Sequence, residues 1–190
     1  MITAVLKKEV FAGRFASRLF MTGAFVILIS LGAFVRIPLP FTPVPLTLQT
    51  FFVLLSAAML GAGWGGIVQG LYVLSGASGL AVFAQGGTGL VYFLGPTGGY
   101  LAGFIAAALF TGSFIRAAEK NIIALSALFT AASMIILACG TLWLKYLSAS
   151  SLQAAFVIGF LPFIIGDTLK AVCAALVYAK LRRKVREVLG

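Results

Sequence analysis

Histidine is absent from the 190 residues, cysteine occurs only twice, and acidic residues number four. Without an imidazole there can be no Ser-His-Asp arrangement and no H-E-x-x-H helix. Cys139 and Cys173 stand alone within separate apolar runs, so neither a metal-ligand cluster nor a disulfide framework is supported. No G-x-x-x-x-G-K-S/T run occurs, which excludes ATP hydrolysis by a phosphate-loop route within this chain. Among the acidic residues only Asp167 falls inside an apolar run, whereas an intramembrane aspartyl protease needs two carboxylates sharing one site. The chain therefore reads as a non-enzyme, with no catalytic residue, metal or cofactor assigned.

Charge of either sign is scarce. Hydrophobic residues make up 62% of the chain and charged ones 9%, a balance that belongs to an integral membrane protein. The formal net charge of +10 would point to nucleic acid if the cations formed a patch on a soluble fold. They sit instead at the ends of apolar runs, which favours a lipid bilayer as the partner and argues against nucleic acid. With 22 Gly, 17 Phe and no alternating apolar and polar series, the spanning elements are expected to be helices rather than barrel strands.

Taken in order, the chain predicts an all-α membrane protein with six transmembrane helices in a single polytopic domain, residues 1–190. The first apolar run, 19–35, is longer than a signal-peptide core and lacks a small-residue cleavage pattern, so it is read as a retained spanning helix. Pro38, Pro40, Pro43 and Pro45 then forbid continuous helix and give a stiff extended loop over 36–45, suited either to a lid or to a connector. Helices are expected at about 46–60 and 64–75. The Gly61-Ala62-Gly63-Trp64-Gly65-Gly66 stretch between them matches G-x-G-x-x-G literally, but it follows a helix rather than a strand and reads as a tight interhelical turn. Residues 76–95 interrupt the apolar pattern repeatedly with glycine, as either a surface loop or irregular backbone lining a cavity. Three further helices are expected at about 96–115, 122–144 and 152–179.

Eleven of the 14 Lys and Arg residues fall at the N-terminus, between helices four and five, and at the C-terminus, while only Arg36 and Lys145 fall on the other side. By the excess of cations on cytoplasmic segments, both termini are cytoplasmic and the loops 36–45 and 76–95 lie together on the outer face. Lys170 is the one cation left inside an apolar run. It is spaced i, i+3 from Asp167, so both side chains share a helix face. An Asp or Lys at the centre of a membrane helix costs about 2.5–3.5 kcal/mol on insertion scales. The pair either neutralises itself to pin helix packing or forms a polar site for a small ligand.

Three stretches carry a family resemblance: Arg36-Ile37-Pro38-Leu39-Pro40-Phe41-Thr42-Pro43-Val44-Pro45-Leu46-Thr47-Leu48-Gln49-Thr50, Gly95-Pro96-Thr97-Gly98-Gly99-Tyr100-Leu101-Ala102-Gly103-Phe104, and Leu161-Pro162-Phe163-Ile164-Ile165-Gly166-Asp167-Thr168-Leu169-Lys170. In this order they resemble BioY, the biotin-binding substrate (S) components of energy-coupling factor transporters. The resemblance implies a multi-pass protein of the bacterial cell membrane that captures biotin outside the cell. It also implies as partners a transmembrane coupling protein and two cytoplasmic ATPases.

On that resemblance Asp167 is expected to receive the ureido N–H groups of biotin and Lys170 its tail carboxylate, the reverse neighbourhood remaining open. Gln85 is placed in the outer loop, where its amide would read the ureido group or face solvent. Tyr100 and Phe93 would flank the bicycle or simply pack. Gln49 should be buried and hydrogen-bonded, to ligand or to backbone. Ala12 and Ala16, with Gly13 and Ser17, supply small residues on helix one for close approach of the coupling partner, or for generic packing. The rival functions are the same fold with another small vitamin, and a stand-alone proton-coupled carrier using Asp167.

Overall fold

The computed structural model describes the backbone of residues 2–148 and 151–189, and the side chains of 13–148, 151–184 and Glu187. It is an all-helical bundle. The elements are α1 (Ile2–Phe34), β1 (Arg36–Ile37), β2 (Leu46–Thr47), α2 (Gln49–Ala77), α3 (Gly89–Phe93), α4 (Gly98–Ala118), α5 (Ile122–Ser148), α6 (Leu152–Gly159) and α7 (Ile164–Leu189). Five stretches are long and apolar enough to cross a membrane: Gly13–Phe34, Gln49–Ala77, Gly98–Ala118, Ile122–Ser148 and Leu152–Lys184. Phe20, Ile27 and Leu31 on α1, Ile123 and Leu142 on α5, and Ile165 and Leu169 on α7 point outward. Such a coat of exposed apolar side chains matches a lipid solvent.

One of the five stretches is folded back on itself, which brings the number of helical rods to six. At ~1.5 Å per residue a straight α2 would hold Gln49 and Tyr72 about 34 Å apart. Their side chains are instead hydrogen-bonded at 2.5 Å, and those of Ser56 and Gln69 at 3.0 Å. The reversal occurs at Gly61, whose φ of 80° and ψ of 175° lie in a region that only glycine enters without strain. The expected turn over Gly61-Ala62-Gly63-Trp64-Gly65-Gly66 is thus made by its first residue, and the remaining glycines are helical. Gly65 lies so close to Ala57 of the other arm that a Cβ there would come within 2.8 Å of the Ala57 Cα.

Helix α4 packs between the α2 hairpin and α5, with its buried Ala107 and Phe104 in the core. The proline-rich loop is closed at its base by pairing of β1 with β2, Arg36 opposite Thr47 and Ile37 opposite Leu46. Leu48 N–H donates to the carbonyls of Gly32 and Val35, satisfying two of the unpaired groups at the end of α1.

The last expected helix, 152–179, is not continuous. Pro162 has no N–H to give and its ring clashes with a carbonyl one turn back, so the chain leaves α6 at Gly159 and passes through a single 3-10 turn, Leu161–Phe163. It restarts as α7. Asp167, expected near the middle of a long helix, accordingly stands in the first turn of a new one.

Candidate binding site

A cavity lies at the end of the bundle opposite the Gly61 turn. Its wall draws on the end of the proline-rich loop, both arms of α2, the segment between α2 and α4, α4, α5, the 3-10 turn and α7. Asp167 and Lys170 both line it and form an ion pair. Asp167 is 3% exposed. The break at Pro162 gives its carboxylate a helix N-terminus, where unpaired N–H groups and the helix dipole favour negative charge. Thr50 lines the same cavity. Lys170 donates a second hydrogen bond, 2.7 Å long, to the carbonyl of Thr47 in β2, and so ties α7 to the base of the proline-rich loop.

Gln49 and Tyr100 line the cavity as well. The amide of Gln49 accepts from the Thr47 hydroxyl at 3.2 Å and donates to the Tyr72 hydroxyl, which donates onward to the Val82 carbonyl at 3.2 Å. The Tyr100 hydroxyl donates to the Gly159 carbonyl at 2.6 Å. That carbonyl has lost its helical partner through the break between α6 and α7, so Tyr100 both repairs the break and forms part of the cavity wall.

Beyond Tyr100, the aromatic wall comes from residues outside the expected set. Phe83 is fully buried, stacks on Tyr92 with centroids 5.0 Å apart, and meets Tyr72 edge-on at 5.6 Å. It rests on Gly76, where a Cβ would come within 2.1 Å of the Phe83 Cζ. Trp143 of α5 donates to the Gly95 carbonyl at 2.8 Å and pins the segment that supplies Tyr92 and Thr97. Burial pushes the Tyr92 hydroxyl up from the ordinary tyrosine range, against a hydrogen bond with Thr97 and the charge of Arg36. At neutral pH it is therefore uncharged and adds no anion to the mouth.

Two expected ligand residues stand elsewhere. Gln85 is exposed and outside the cavity wall, in a left-handed conformation (φ 66°) within the 3-10 turn Ala84–Gly86, while its neighbour Ala84 faces in. Phe93 is half-buried against the core without reaching the cavity, and the inward position on α3 belongs to Tyr92. Successive helical residues point about 100° apart, so the two cannot share one direction. Ala16 is exposed on α1, and the side chain of Ala12 lies outside the described residues.

Tyr72 had a usable signal: it and Gln49 are nearly equidistant from Gly61, so a hairpin folded there brings them level. Thr47 and Thr50 flank Gln49 and offered only proximity. Phe83 and Tyr92 carried no distinguishing mark among 17 Phe and 5 Tyr.

The model of the BioY family matches residues 6–187. The chain belongs to the BioY family. It is 41% identical over 167 residues to the biotin transporter BioY of Thermotoga maritima, covering 87% of this chain and 96% of that one. A probable biotin transporter BioY of Lysinibacillus sphaericus is 38% identical over 177 residues, 88% of each chain. Among solved structures, the S-component for biotin from an ECF-type ABC transporter superposes with a TM-score of 0.83 at 26% identity, covering 88% of this chain and 92% of that chain. The six rods and the cavity described above are thus those of a BioY member.

Proposed function

We propose that this chain is the biotin-binding S component of an energy-coupling factor transporter, which captures biotin outside the cell for uptake. The observation that carries the ligand reading is the Asp167–Lys170 pair, the only charged groups among the residues lining a cavity whose other walls are apolar, aromatic or neutral polar side chains. An ammonium has three N–H donors. Lys170 gives one to Asp167 and one to Thr47, and the third is available to a ligand carboxylate. Asp167 keeps lone pairs for the ureido N–H groups, and Phe83, Tyr92 and Phe104 supply apolar and aromatic surface for the bicycle. A membrane coupling protein and two cytoplasmic ATPases drive the delivery step, both termini face the cytoplasm, and the residence is the inner or plasma membrane.

Calorimetric titration of biotin into the detergent-purified chain tests this, with thiamine, riboflavin and biotin methyl ester as comparisons. Tight one-to-one binding of biotin is expected, with no heat from the other vitamins and a much weaker response to the ester, which lacks the tail charge. Folded protein that ignores biotin would remove the ligand reading. Equal affinity for the ester would remove Lys170 as the carboxylate partner.

A further inference from the structure

Beside the cavity three side-chain hydrogen bonds run in line from the Thr47 hydroxyl to the Val82 carbonyl, and Lys170 holds the same Thr47 through its backbone carbonyl. Lys170 donates to the Thr47 carbonyl, the Thr47 hydroxyl donates to Gln49, Gln49 donates to Tyr72, and Tyr72 donates to the carbonyl of Val82. The Val82 carbonyl can only accept, which fixes the sense of every bond before it: Tyr72 must donate to it, and must therefore accept from the Gln49 NH2 group. That leaves the Gln49 oxygen facing the Thr47 hydroxyl. The donors thus run in one direction from the base of the proline-rich loop to the segment after α2, an alignment in which each bond polarises the next.

The two ends of this line are the two irregular loops. Thr47 ends the loop that begins at Arg36, and Val82 precedes Phe83, whose ring walls the cavity. Besides this line, the segment around Val82 is held by its own turn bonds, among them Val82 N–H to Leu80, Phe83 N–H to Gly87 and Gly86 N–H to Phe83, by Leu80 N–H and the Thr88 hydroxyl donating to the Ser75 and Gly76 carbonyls of α2, and by the packing of Phe83. We propose that Tyr72 is a positioning residue that couples both outer loops to Lys170, so that they order and loosen together. The idea rests on the binding reading above only for what triggers the coupling; the coupling itself is a property of the ligand-free chain.

The test is a mutant cycle read by amide hydrogen exchange on the full chain in lipid nanodiscs. Thr47→Val cuts the line at its start while keeping the backbone carbonyl, and Tyr72→Phe cuts it at its end while keeping the ring. Without ligand, each variant is expected to speed exchange at Phe83, Gly86 and Gly87 by roughly two- to tenfold, the loss of one net hydrogen bond. The double variant should be no faster than Tyr72→Phe alone.

Exchange that rises in Thr47→Val only near Thr47, or effects that add in the double variant, would overturn the coupling. Gln49→Met cuts the line at its centre and takes the place of Tyr72→Phe if that variant does not fold. Added biotin should slow exchange in both loops of the wild type and in only the first loop of Tyr72→Phe. Biotin that protects neither loop of the wild type would count against the ligand reading, with the ligand-free cycle still deciding the coupling; biotin that protects both loops equally in Tyr72→Phe would overturn the coupling.

Discussion

The Asp167–Lys170 pair was readable because two charges inside an apolar run have no cheap explanation, and the same logic marked Gln49. Its surroundings were not readable, since neither the Thr47 carbonyl nor the helix N-terminus created at Pro162 leaves a trace in side-chain chemistry. Those surroundings predict an asymmetry in variants. Lys170→Met leaves a buried carboxylate without its counter-ion, and breaking one partner of such a pair costs about 3–5 kcal/mol. Asp167→Asn should cost less, because Lys170 retains the Thr47 carbonyl and its long stem can carry the ammonium toward the mouth. The double variant should regain part of the Lys170→Met loss while still failing to bind biotin. Thermal unfolding midpoints in detergent, with calorimetry beside them, check this; a Lys170→Met protein as stable as wild type would mean that the carboxylate is protonated or solvated and the pair is not the compensation inferred.

At the scale of elements, the hairpin arms of α2 were legible from the glycine cluster after 60, and the stiff 36–45 loop from its prolines. The division of the last helix into α6 and α7 was not, because the residues on either side of Pro162 remain uniformly apolar and membrane helices accommodate proline often. Residues 76–95 read as irregular, yet they contain α3 and a 3-10 turn. Their order is imposed by Phe83 docking on Gly76, a side-chain contact that no periodicity signals, and by Trp143 holding Gly95 from 48 residues away. The docking of Phe83 predicts that Gly76→Ala is disruptive out of proportion to one methyl group. The added Cβ must displace the ring from the cavity wall, at an overpacking cost of about 1–3 kcal/mol, and biotin affinity should fall with it. Gly70→Ala on the same arm is the matched control. Nothing lies within 4 Å of a Cβ there, so alanine should be neutral or add about 0.5–1 kcal/mol of helix stability. Melting curves and titrations of the two variants side by side would separate the contact from any general intolerance of the helix, and similar behaviour of both would dismiss the Phe83 dock.

For the whole molecule, the cation asymmetry and the six rods together predict one orientation and one mode of energisation. With six crossings both ends share a side, and eleven cations against two put that side in the cytoplasm. The cavity, at the end opposite the Gly61 turn and beside the proline-rich loop, then faces outward. In a Cys139→Ala, Cys173→Ser background, a Ser78→Cys label site on the exposed loop after α2 should react with a membrane-impermeant maleimide in intact cells. A cysteine at exposed Lys120, between α4 and α5, should react only after the cells are opened. A chain so oriented holds a charged pair that already neutralises itself, and the proposed S-component role assigns the energy for release to partner ATPases. Accumulation of labelled biotin in cells lacking their own uptake system is therefore expected to require co-expression of the coupling protein and both ATPases, and to vanish when an ATPase phosphate-loop lysine is replaced. Accumulation without the ATPases that collapses with the proton gradient and is lost in Asp167→Asn would instead make Asp167 the titrating group of a stand-alone carrier. The two results require opposite fates for the ion pair: in the first it stays charged through the cycle, and in the second the carboxylate must release Lys170 each time it takes a proton.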